Sequence, residues 1–98
     1  GMGDPIVVVK EMGLSHREFF RTIISALGTD QFNKWDTRIL LTTGDQTLEI
    51  TLGVEGERRI ALMVVLRTMV TLTFTNYTQA QADEALKRFD MMFKRGGG

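Results

Sequence analysis

The sequence predicts an α+β fold of two layers, an antiparallel sheet of about five strands with two helices on one face, in the order β-α-β-β-β-β-α. Three observations predict it. Between Arg58 and Tyr77 the apolar residues Ile60, Leu62, Val64, Leu66, Val70, Leu72 and Phe74 all occupy even positions, and a period of two marks a strand with one buried face. Two segments carry complete helix-start signals, Ser15 with Glu18 and Thr78 with Gln81. The connections elsewhere are short, which favours antiparallel neighbours and leaves two one-sided helices a single sheet to cover.

The first strand is the β-branched run Ile6 to Lys10, behind Asp4-Pro5. Ser15 then caps a helix, Glu18 completes the capping box, and Leu14 before the cap is placed to meet Phe19 as a hydrophobic staple. Phe19, Phe20, Ile23, Ile24 and Leu27 recur at helical spacing and form the buried stripe, and Gly28 supplies a left-handed stop. Residues 29–36 have no period and read as a loop in which Phe32 and Trp35 pin the chain to the core edge. Trp35, the single tryptophan, is read either as that anchor or as a ligand-stacking residue.

Arg38 to Thr43 and Thr47 to Leu52 form a hairpin across Gly44-Asp45, with Leu48, Ile50 and Leu52 alternating against Thr47, Glu49 and Thr51. Val54 to Glu57 makes a further turn. The run from Arg58 to Asn76 would extend roughly 60 Å as one strand, several times the usual length, so it bends or divides. The break is placed at Leu66 to Thr68, where no Gly, Pro, Asn or Asp marks a turn. Two strands is the adopted reading, and one long strand bent at a bulge is the alternative. Thr78 caps the last helix, whose buried stripe is Ala82, Ala85, Leu86, Phe89 and Phe93. Asp83 with Lys87, Glu84 with Arg88 and Asp90 with Lys94 are acid-before-base pairs on its solvated face. Lys94 and Arg95 suit its C-terminus, and Gly96 ends it.

This order resembles the β-α-β4-α arrangement of the TATA-binding-protein-like folds, a topological analogy over the whole chain that no sequence motif accompanies. It implies an architecture and no activity.

With 98 residues, the chain is expected to form one domain over 1–98. Gly1 ahead of Met2 reads as the remnant of a removed tag. The absence of cysteine excludes disulfides, thiolate metal sites, iron-sulfur clusters and cysteine nucleophiles. No apolar run approaches the roughly 20 residues that span a bilayer, so a cytoplasmic protein without a membrane partner is expected. Twelve basic and twelve acidic groups cancel, which argues against nucleic acid as a partner. The charges are uneven: residues 1–57 hold five basic and nine acidic groups, and residues 58–98 hold seven and three. That asymmetry suits oriented self-association, and equally the ordinary solvation of two helices and several hairpins.

The chemistry of an enzyme is hard to place on these residues. His16 is the sole histidine, one residue inside the first helix, and reads as a solvated first-turn side chain. Ser15 is already used as a cap, and the glycines at 13, 28, 44, 53 and 56 are scattered singly, as turns require, with no phosphate loop. The reading leans away from catalysis, and neither a cofactor nor a metal is assigned.

Two features remain as candidates. On the sheet face away from the helices, the odd-numbered Met63, Val65 and Met69 stand beside Arg67 and the threonines at 71, 73 and 75. Apolar residues there imply a cover: a second copy of the chain, a protein partner or a small apolar ligand, with Trp35 included as a possible contributor. The alternative is that these side chains lie beneath a loop of the same chain. The second feature is the glycine tail, since one glycine suffices to stop a helix and Gly97 and Gly98 are surplus. A terminal Gly-Gly resembles the ends of ubiquitin-like sulfur carriers and protein modifiers, which implies an activated C-terminal carboxylate. Those families begin with two strands before the helix, whereas this chain places its helix after one, and a solvated tail is the plainer reading. The expected function is a small binding or assembly domain.

Overall fold

The computed structural model describes residues 4–95. Its elements are β1 (Ile6–Met12), α1 (His16–Leu27), β2 (Asn33–Trp35), β3 (Arg38–Thr43), β4 (Gln46–Leu52), β5 (Gly56–Ile60), β6 (Met63–Thr75) and α2 (Gln79–Arg95). The main sheet is antiparallel in the order β1-β6-β4-β3-β2, and β5 pairs with β6 beyond it. The α+β class therefore stands. The likeness to TATA-binding-protein-like folds rests on element order alone, and the chain adds a further strand, β2.

Both helix starts form as their sequences dictate. The Ser15 hydroxyl accepts from the Glu18 N–H at 3.1 Å while the Glu18 carboxylate accepts from the Ser15 N–H at 3.3 Å. Thr78 and Gln81 repeat the exchange at 3.1 and 2.9 Å. Gly28, at φ 73°, closes α1 by donating to the Ile24 carbonyl at 2.8 Å.

The covered face of the sheet is a set of cross-strand rows: Ile6 and Leu48 flank Phe74, and Val8 and Ile50 flank Leu72, with Ile39 beyond Ile50. Phe19, Phe89 and Phe93 meet above these rows, with ring centroids 4.5 to 6.4 Å apart, and all three are buried. In α1 the buried positions are Phe19, Ile23 and Ala26, while Ile24 is half exposed, so the stripe turns slightly away from the expected one. A Lys10–Asp90 ion pair at 3.1 Å ties β1 to α2.

Three expectations are corrected. Residues 33–35 form β2 on the sheet edge, where the expected feature was a loop. The chain reverses at Ala61-Leu62, five residues before the expected break, with Ala61 taking φ 55°. Leu66 to Thr68 instead lie inside the continuous strand β6. Finally, the even-numbered run is buried only from Thr68 onward: Ile60, Leu62, Val64 and Leu66 are exposed. The reason is one of length. Thirteen strand residues reach about 43 Å, whereas α2 reaches about 25 Å and α1 about 18 Å, so the helix layer ends before the strand does. The resulting long axis is 47 Å against 27 and 23 Å.

Candidate functional site

What projects is a two-stranded ribbon made of β5 and residues 63–67 of β6. Thr68 marks its base: the buried hydroxyl donates to the Leu14 carbonyl at 2.8 Å, satisfying a polar group at the point where the strand leaves the core. Both faces of the ribbon mix apolar with charged side chains, Arg58 and Arg67 on one and Glu57 and Arg59 on the other. Ile60, Met63 and Val65 share one side, Val64 and Leu66 the other, and Leu62 at the tip is 99 % exposed.

The bend that aims the ribbon is residues 53–55, inserted between Leu52, opposite Val70, and Gly56, opposite Arg67. Gly53 donates to the Met69 carbonyl at 2.8 Å. His16 holds the same segment from the helix: its backbone N–H donates to the Glu55 carboxylate and its Nε2 donates to the Gly53 carbonyl, both at 2.6 Å. An acceptor carboxylate at a helix N-terminus satisfies a free donor and complements the dipole. His16 is thus a half-buried structural tie, in place of the solvated first-turn residue expected of it.

The odd-numbered row of β6 lies on the sheet face away from the helices, and its members divide between two settings. Met69 belongs to the main sheet opposite Glu11, whereas Met63 and Val65 belong to the ribbon opposite Ile60 and Arg58. Arg67 joins the halves. It approaches the Glu11 carboxylate at 3.8 Å, and Arg58 approaches the same carboxylate at 3.4 Å. Val7 and Val9 on the edge strand β1, at 56 % and 58 % exposure, continue the apolar surface beyond the β6 row. Their odd phase, opposite Thr73 and Thr71, is the signal of that face.

Trp35 shares this face but stands on β2, three strands from β6 and roughly 14 Å across the sheet. Its ring stacks on the Arg38 guanidinium with 4.4 Å to the centroid, and Arg38 pairs with Glu49. It is half exposed and does not join the Met69 row. Gly97 and Gly98 lie outside the described residues.

Among the described residues no group of His, Asp and Glu is arranged to hold a metal ion, and no helix is long and apolar enough to cross a membrane. A separate cleft of about 670 Å³ beside α2, with Tyr77, Met91 and Met92 in its wall, contains none of the candidate site residues Met63, Val65, Arg67, Met69 and Trp35. Burial raises the Tyr77 phenol above its ordinary range. Comparisons with protein-family models, curated proteins and solved structures found no match.

Proposed function

We propose that this chain is a non-enzymatic assembly domain that associates with a second copy of itself through the β5–β6 ribbon and the adjoining open sheet face. The observation that carries this reading is the ribbon itself. A two-stranded hairpin is marginal in water, and one that exposes apolar side chains on both faces, uncovered by its own helices, is stabilised by company. Ile60, Leu62, Met63, Val64 and Leu66 together expose on the order of 600 Å², at the upper end of what a monomer leaves open. Shared between two copies, that surface gives about 1,200 Å², the lower bound of a specific interface, before any main-chain pairing is added. Methionines at 63 and 69 suit such a contact because their unbranched side chains adapt to an irregular surface.

Sedimentation across a concentration series tests the reading. The parent is expected to run as a dimer or larger, and Val65→Asp combined with Met69→Asp is expected to shift it to monomer with its circular dichroism unchanged, since both changes set unpaired charge in a dry contact. A parent that stays monomeric at high concentration overturns self-association.

A further inference from the structure

Strand β5 has one edge on β6 and the other unpaired. Ile60 and Met63 close a two-residue loop and so form a hydrogen-bonded pair, which turns the backbone groups of Ile60, Arg58 and Gly56 towards β6 and those of Glu57 and Arg59 outward. Two contacts further along β6 agree with this phase. The Met69 carbonyl accepts from Gly53 on the β4 side, and the Leu66 carbonyl faces Gly13 on the β1 side.

The segment around this edge is complementary to its own reverse, with Arg58 as the centre. Glu57 and Arg59, opposite in charge and in no ion pair among the described residues, lie one position to either side. Gly56 and Ile60 lie two positions away, an absent side chain against a large one. Val54 and Leu62 lie four positions away, and at 90 % and 99 % they are the two most exposed large apolar residues among those described. A sequence that matches its own reversal is what a two-fold interface requires, because every contact is made twice with the roles exchanged.

We infer that a second copy pairs antiparallel along β5 about a two-fold axis at Arg58, joining the two ribbons into one four-stranded sheet. This rests on the self-association proposed above and specifies its register. The outward N–H and C=O groups of Glu57 meet those of Arg59 from the other copy, and their side chains form an opposite-charge cross-strand pair on each side of the axis. Ile60 lies over Gly56 of the other copy. The tip carries Leu62 to the base of the opposite ribbon, where Val54, Glu57, Arg67 and Met69 border a notch of about 270 Å³. The two Arg58 side chains approach at the axis, and each lies 3.4 Å from the Glu11 carboxylate of its own chain, which Arg67 shares. The pairing covers the free edge and the two most exposed apolar residues together.

Because the chain contains no cysteine, Arg58→Cys introduces one thiol. Opposed residues at a non-hydrogen-bonded position have Cα atoms about 4.5 Å apart, within the disulfide range of about 4.4–6.8 Å. Oxidation with copper phenanthroline is expected to convert most of Arg58→Cys into a disulfide-linked dimer on non-reducing gels, whereas Thr42→Cys, exposed on β3, stays monomeric. In sedimentation, Glu57→Arg and Arg59→Glu are each expected to weaken dimerisation about tenfold or more, and the double reversal to return it to within about threefold of the parent. A parent that dimerises while Arg58→Cys fails to cross-link overturns the β5 register and leaves self-association standing. A double reversal as weak as the single changes does the same, and a monomeric parent overturns both.

Discussion

Residues 63–67 and 68–75 belong to one strand and carry the same alternation of apolar side chains, yet they live in opposite environments. Val70, Leu72 and Phe74 are buried beneath Phe19, Phe89 and Phe93, while Val64 and Leu66 are exposed and pair with no strand but β5. Alternation therefore records a capacity for burial and leaves the burying partner unspecified. In the inner half the partner is the helix layer of the same chain. In the outer half the helices have ended, and the same pattern is left in solvent, which is the surface on which the proposed self-association rests.

The difference between the halves can be broken most forcefully from the helix side. Phe89→Ala removes a fully buried ring that contacts Phe19 and Phe93, and is expected to cost about 3–5 kcal/mol in chemical denaturation, a large share of a small domain's stability. If the variant melted within a degree or two of the parent, α2 would not be packed as described. Next in size is a matched pair of truncations along β6. Leu72→Ala is expected to cost about 2–5 kcal/mol and Leu66→Ala less than about 0.5 kcal/mol, when both are measured at a concentration too low for association. Equal losses would mean that the ribbon is covered within the monomer.

At the boundary, Thr68→Val keeps the shape of the side chain but leaves the Leu14 carbonyl without its buried donor, for an expected loss of about 1–2 kcal/mol. Hydrogen exchange sharpens this prediction, because protection should fall more in residues 63–67 than at Leu72 if Thr68 anchors the ribbon. The smallest effect is expected at the tip. Ala61 holds φ 55°, a conformation in which glycine has no Cβ conflict, so Ala61→Gly should stabilise the ribbon by about 0.5–1 kcal/mol, read as slower exchange in β5. A loss of protection would place the reversal elsewhere.

Much of this fold was legible because local chemistry specifies it. Ser15 with Glu18, Thr78 with Gln81, and Gly28 satisfy the free backbone groups at helix ends from within a few residues, so their positions could be read without tertiary contacts. The Gly44-Asp45 reversal was legible for the same reason, since Gly44 at φ 62° carries the positive dihedral that such a turn needs. The reversal at Ala61-Leu62 carries no such residue and was placed too late in the chain. β2 was missed because three polar or aromatic residues on an edge show no period. The Met63, Val65, Arg67 and Met69 row followed from its phase, whereas the separation of Trp35 from it depends on strand order, which no local pattern encodes.

By itself, then, the sequence determined the α+β class, both helices with their caps, the β3–β4 hairpin and the two phases of β6, because each depends on spacing of residues close along the chain. Where β6 leaves the core, how the 53–55 bend and His16 aim the ribbon, and that Val54 at its base, Leu62 at its tip and the free edge of β5 between them are all left in solvent are set by the packing of the layers. Those outcomes depend on the length of two helices measured against a strand that they cover in part, a comparison between elements distant in sequence that becomes physical only when the layers are stacked.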